Sequence, residues 1–144
     1  MSDLRLERSF AVAPETLFTW ITAPDKLVQW FGPEGVDLTD HQMDFTRTGP
    51  WVAVMVGRES GQRFKVSGHV THVDPPRSVG FTWGWHDDAD QRGDESHVTL
   101  SVTATDGGAQ LVLDHRDLTD AEAARNHRTG WVSTLRKLEK LVVS

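Results

Sequence analysis

Seven histidines and no cysteine set the chemistry open to this chain of 144 residues. Without thiols, disulfides, thiol catalysis and Cys-ligated zinc are all excluded. The tightest histidine pair is His69 and His72, in a segment that reads as a strand. Strand residues three apart point to opposite faces, so this pair is not expected to share a metal. His127 has no histidine or carboxylate four residues away on its helix, and no metal site is expected. His115 and His127 are the better candidates for chemistry. His115 continues the inward face of Leu111 and Leu113, and His127 lies on the inward stripe of the last helix. Both could serve at a cavity mouth as polar handles or as a general base, the alternative being that each only hydrogen-bonds locally near an element end. Asp114 falls on the strand face opposite His115 and is a poor orienting partner. The acidic run from Asp87 to Glu95 reads as a solvated loop. No GxSxG elbow, phosphate-binding loop, dinucleotide fingerprint or HExxH helix is present, so nothing specifies a nucleophile and no cofactor is expected.

The elements that position these residues follow from periodicity. Leu4, Leu6, Phe10 and Val12 alternate with charged or small neighbours, which predicts a strand over 4–12. Pro14 opens a short helix to Thr22 with Leu17, Trp20 and Ile21 on one face. A second short helix starts at Pro24 and carries Leu27, Trp30 and Phe31, and Gly32-Pro33 stops it. From Val36 to about Arg116 the pattern is β. Strands are expected at 36–45, 51–57, 64–73, 79–85, 98–103 and 111–115, divided by turns at Ser60-Gly61, Asp74-Pro75-Pro76 and Asp106-Gly107-Gly108. Short turns between consecutive strands imply an antiparallel meander. Thr119-Asp120-Ala121-Glu122 matches a capping box with Thr119 as the cap. The helix after it runs to about Val142, roughly 36 Å at 1.5 Å per residue, long enough to lie along a whole sheet. Its apolar stripe is Ala123, His127, Trp131, Leu135, Leu138 and Val142.

Six or seven strands with one apolar face have more to bury than one helix covers, and sheet twist curls the strands around that helix. A space should remain between them. Six tryptophans, six phenylalanines and no tyrosine imply that aromatic rings fill part of it. Gly130 in mid-helix costs about 1 kcal/mol relative to alanine, and reads either as a loosely selected surface site or as close approach of the helix to a strand or a ligand. Walls of the space are expected from the inward strand positions Trp51, Met55, Phe64, Val66, Gly68, Phe81, Trp83, Val98, Leu100, Leu113 and His115. The helices add Trp20, Trp30, His127, Trp131 and Thr134.

Several motifs, in order along nearly the whole chain, resemble one family. They are Val12-Ala13-Pro14-Glu15 with Leu17, Phe18, Trp20 and Thr22; Leu27 with Trp30-Phe31-Gly32-Pro33; Val66-Ser67-Gly68; Val73-Asp74-Pro75-Pro76-Arg77; Val79 with Phe81-Thr82-Trp83; and His127 with Gly130-Trp131. The chain resembles bacterial START-like domains of the SRPBCC superfamily, related to the C-terminal domain of the activator of Hsp90 ATPase. That resemblance implies an α+β helix-grip fold of the Bet v 1-like type, in which a curved antiparallel sheet of six or seven strands holds a long C-terminal helix over a hydrophobic cavity. It does not imply one activity, because the fold serves transport, sensing, cyclisation and co-chaperone roles. The true Hsp90 activator has a further N-terminal domain for which 144 residues leave no room, so Hsp90 is not expected as a partner.

Residues 1–144 are therefore expected to form a single domain. The favoured reading is a binding protein for a small hydrophobic or aromatic ligand. A cyclase, dehydratase or hydrolase acting on an aromatic or polyketide-like substrate is the first alternative, with His115 and His127 as candidate catalytic residues, and a co-chaperone-like interaction is the second. A net charge of −6 disfavours nucleic acid as a partner. No run approaches the roughly 20 apolar residues of a membrane span, and no signal peptide is recognised, so the expected location is the cytoplasm. Exposed strand edges leave room for a homodimer.

Overall fold

The computed structural model describes residues 2–142. Ten elements follow one another: β1 (Ser2–Phe10), α1 (Pro14–Thr22), α2 (Pro24–Trp30), β2 (Val36–Gln42), β3 (Gly49–Gly57), β4 (Arg63–Asp74), β5 (Ser78–Trp85), β6 (Ser96–Thr105), β7 (Gly108–Leu118) and α3 (Ala121–Leu141). The strands form one antiparallel sheet in the order β1-β7-β6-β5-β4-β3-β2. The meander β2 to β7 needs only short turns, and β1 closes the far edge against β7. This is the expected α+β helix-grip architecture. No described helix is long and apolar enough to cross a membrane.

Alternation sets the inward face. In β6, Ser96, Val98, Leu100 and Val102 are buried while the residues between them are more exposed. β5 departs from alternation because Val79 to Gly84 are all buried. Its outward glycines explain this. A Cβ on Gly84 would lie 2.4 Å from the Arg92 guanidinium carbon, and one on Gly80 would lie 2.5 Å from the His72 ring. Arg92 lies across the bare strand, donates to the Ser67 carbonyl at 2.9 Å and pairs with Glu95 at 2.9 Å. The acidic loop after β5 is thereby strapped to the sheet, and the end of β5 is held in place.

Four expectations need correction. β2 ends at Gln42, not at Phe45, because Phe45 turns into the core and its amide donates to the Thr22 carbonyl at 3.0 Å. β1 ends at Phe10, where it pairs with Ala109 at the β6–β7 hairpin. The cap of α3 is Asp120, whose carboxylate accepts from the Ala123 amide at 2.8 Å, and not Thr119. His69 and His72 do not lie on opposite faces. A register shift between Val70 and His72 inserts an extra residue, and both histidines are exposed on the outer face. Among the described residues no three potential ligands cluster around a metal position.

Candidate functional site

The space under α3 is divided. At one end, Phe45, Trp51 and Phe81 pack ring against ring with centroids 4.6–5.7 Å apart, and Trp30 is almost fully buried beside α1. Their polar atoms are satisfied: Trp51 Nε1 donates to the Thr82 carbonyl at 3.1 Å, and Trp30 Nε1 donates to the Trp20 carbonyl at 2.8 Å. This region is filled core.

At the other end a cavity of about 440 Å³ opens beneath the N-terminal half of α3. The sheet supplies Val36, Met55, Phe64, Trp83 and Trp85, which lie where β2 and β4 begin and β3 and β5 end. The α2–β2 connection supplies Phe31, Gly32 and Pro33, and α3 supplies Asn126, His127, Gly130, Trp131 and Thr134. His127 is the one titratable residue among these, so the walls are almost wholly apolar, as expected of a small-molecule site. Phe31 stands at the back, 5.8 Å from the Trp83 ring and 6.5 Å from the Trp131 ring. Its connection is pinned to α3. Arg136 pairs with Glu34 at 2.7 Å, the Glu34 amide donates to Ser133 Oγ at 2.8 Å, and Lys137 Nζ donates to the Gly32 carbonyl at 3.1 Å. Arg136 holds the Glu34 carboxyl below its usual range, and burial lowers the pKa of Lys137.

His115 lies just behind this cavity, fully buried, and does not line it. The Trp131 indole can only donate, so His115 Nδ1 accepts its N–H at 3.0 Å. The ring proton therefore sits on Nε2, which donates to Ser96 Oγ at 2.7 Å, and that hydroxyl reaches the Trp83 carbonyl at 3.5 Å. Burial pushes the His115 pKa down to about 3, with the charge of His127 adding to the effect. With both nitrogens occupied, His115 joins β6, β7 and α3 and is not placed to act as a base. His127 stacks edge-on to it, with centroids 4.5 Å apart. Trp85 Nε1 donates to His127 Nε2 at 3.2 Å, which keeps the neutral ring protonated on Nδ1, and burial lowers its pKa as well.

Six of the expected wall residues line the cavity: Met55, Phe64, Trp83, His127, Trp131 and Thr134. Ten do not. Trp30, Trp51, Val66, Phe81, Val98, Leu100 and Leu113 face inward but are covered by neighbouring core residues. Gly68 is a packing position, since a Cβ there would lie 2.0 Å from the Thr82 carbonyl oxygen. Trp20 is partly exposed on α1 under the Lys26 ammonium, 4.5 Å from its ring centre. His115 is the tenth. Gly130 does not mark close approach to a strand, because a Cβ there would meet nothing within 4 Å. It faces the open cavity instead. Seven lining residues lay outside the expected set: Phe31, Gly32, Pro33, Val36, Trp85, Asn126 and Gly130. Trp85 was within reach of sequence reasoning, because it continues the inward alternation of Phe81 and Trp83.

A second cavity of about 210 Å³ adjoins the first, lined by Asp94, Ser96, Asp117, Leu118, Thr119 and Ala123. Trp83, Trp85 and His127 line both cavities and stand between them.

Comparison with known proteins agrees with this architecture. The family described as Activator of Hsp90 ATPase homolog 1-like protein matches residues 11–143. The crystal structure of the AHSA1 protein from Silicibacter pomeroyi is 60% identical, with 96% of each chain covered and a TM-score of 0.93. A protein from Chromobacterium violaceum is 22% identical over 100% of this chain and 99% of its own, with a TM-score of 0.86, and shares the fold. DynU16, from the dynemicin biosynthetic locus, is 18% identical with a TM-score of 0.75 over 97% of this chain and 46% of its own. Among curated proteins no match was found.

Proposed function

Since this chain belongs to the Activator of Hsp90 ATPase homolog 1-like family, we propose that it binds a small, largely apolar, aromatic molecule in the cavity beneath the N-terminal half of α3. One observation carries this reading: the aromatic-walled cavity of about 440 Å³ persists beside a core that is otherwise filled with large rings. A chain able to pack Trp30, Trp51, Phe45 and Phe81 could have closed the remaining space with larger side chains. It places Gly130 there instead.

The test is a titration with planar aromatic compounds, read by tryptophan emission and by melting temperature. A ligand at a hundredfold excess over its Kd should stabilise the fold by about 2.7 kcal/mol. Gly130→Leu should narrow the cavity, leave the fold intact and weaken binding. If a broad set of lipids, flavonoids and polyketides leaves both emission and melting temperature of the unaltered protein unchanged, the binding reading fails.

A catalytic reading rests on His127, the cavity's one titratable wall residue, which is neutral and could take or deliver a proton at its edge. It predicts that His127→Ala abolishes turnover of a bound aromatic precursor without unfolding the protein. Undiminished turnover in that variant would remove His127 from any mechanism.

A further inference from the structure

Four indole N–H groups have acceptors: Trp30 on the Trp20 carbonyl, Trp51 on the Thr82 carbonyl, Trp85 on His127 and Trp131 on His115. Trp83 differs. The residue is 6% exposed, its Nε1 is buried, and that N–H has no acceptor among the described residues. Buried donors are nearly always paired, so an orphan at a cavity wall calls for an explanation. Trp83 also sits where the two cavities meet, edge to face with Trp85 at 5.3 Å and with His127 at 5.8 Å. Those two residues complete the partition, and one hydrogen bond of 3.2 Å joins them. Trp85 is 38% exposed and packs on Phe64, which is 36% exposed, so this side of the partition faces solvent.

We infer that the Trp85–His127 hydrogen bond is a gate, displaced by a neutral planar aromatic molecule whose ketone or phenol oxygen accepts the orphan N–H of Trp83. The inference rests on the binding reading above and adds the ligand's polar group. An indole N–H recognises only an acceptor, which selects an oxygen on the ligand. Charge selects a neutral one. Among the described residues no lysine or arginine lines either cavity, and Asp94 and Asp117 line the smaller one, so a carboxylate ligand would be repelled. Ring shape follows from the walls, where Phe31, Trp83 and Trp131 pack on one another in tilted and edge-on pairs. In this inference Trp85 swings outward at the cost of one exposed hydrogen bond, the two cavities that it lines join, and the ligand oxygen reaches the buried Trp83 N–H.

Fluorene and 9-fluorenone test this, because they share one tricyclic skeleton and differ by a carbonyl. The protein, labelled with ¹⁵N in its tryptophans, is titrated with each while the indole N–H signals are followed. The Trp83 signal is assigned by its loss in Trp83→Phe, or by through-space contacts to Phe31 and Trp131 should that variant not fold. Fluorenone should move the Trp83 signal and bind about tenfold more tightly than fluorene, which is one net hydrogen bond. Trp85→Phe keeps an aromatic, though smaller, ring and deletes the donor, so both compounds should associate several-fold faster with it in stopped-flow quenching. Equal affinities, or a Trp83 signal that stays still while fluorenone binds, would overturn the acceptor and leave the binding reading standing. Unchanged association rates in Trp85→Phe would overturn the gate. If neither compound binds, the binding reading fails for this ligand class and the inference falls with it.

Discussion

Along α3, the last two turns and the first three meet the same sheet in opposite ways. Leu135, Leu138 and Val142 are buried against the sheet, chiefly against β1, and Glu139 pairs with Arg8 of that strand at 3.5 Å. Ala123 and His127, on the same stripe nearer the N-terminus, and Gly130 beside it are each only partly buried over the two cavities, while Trp131 is buried at the wall of the larger one. The backbone is continuous helix through both halves, so the difference lies in side-chain volume. Branched aliphatic residues seal the C-terminal half, while alanine, histidine and glycine leave the N-terminal half hollow around Trp131. Sheet curvature provides the room, and the choice of small helix residues decides where it stays open.

The largest effect expected from this contrast falls at the seam between the halves, on His115. The folded protein leaves this ring unprotonated down to about pH 3, whereas the unfolded chain takes up its proton below about pH 6.5. Stability is therefore fully present above pH 6.5 and falls as the pH drops through that window, by on the order of 5 kcal/mol from this group alone. Urea melts between pH 7 and pH 4 measure it, and a flat stability over that range would show that His115 is not held neutral.

Next in size is Leu138→Ala in the sealed half. Leu138 is fully buried and lines neither cavity. The substitution should cost about 3 kcal/mol and leave ligand affinity unchanged in the folded fraction. A loss of affinity as large as the loss of stability would mean that the two halves are one unit.

Smallest, and opposite in sign, is Gly130→Ala in the hollow half. The new methyl meets no neighbouring atom and relieves the helix of a glycine, so the protein should gain about 1 kcal/mol by thermal melting. Destabilisation at this site would mean that the helix there is more closely packed than the structure has it.

The contrast also explains how much could be read beforehand. Strand alternation gave every strand and most of the inward faces, missing the bulge at His72, because a period of two leaves a direct trace in residue order. Depth along a strand leaves none. Trp51, Phe81 and Leu100 point inward just as Trp83 and Met55 do, yet the first three end in filled core and the last two at the cavity. Gly32 and Pro33 read as the stop of a helix, which they are, and nothing local marks that stop as the cavity rim. Asn126 lies off the apolar stripe and lines the cavity because the helix stands away from the sheet there. Thr119 and Asp120 are both good caps one residue apart, and only the chain path into α3 selects Asp120.

The crowded rings at the partition also govern how the protein handles light. The chain has no tyrosine, so its near-ultraviolet emission belongs to indole alone. Trp83 lies 5.7 Å from Trp51, 5.4 Å from Trp131 and 5.3 Å from Trp85. Chromophores that close share excitation and act as a coupled set, with Trp83 at its centre. Any movement of Trp85 removes one member, and the circular dichroism of the whole set then becomes an optical record of whether the partition is open or shut.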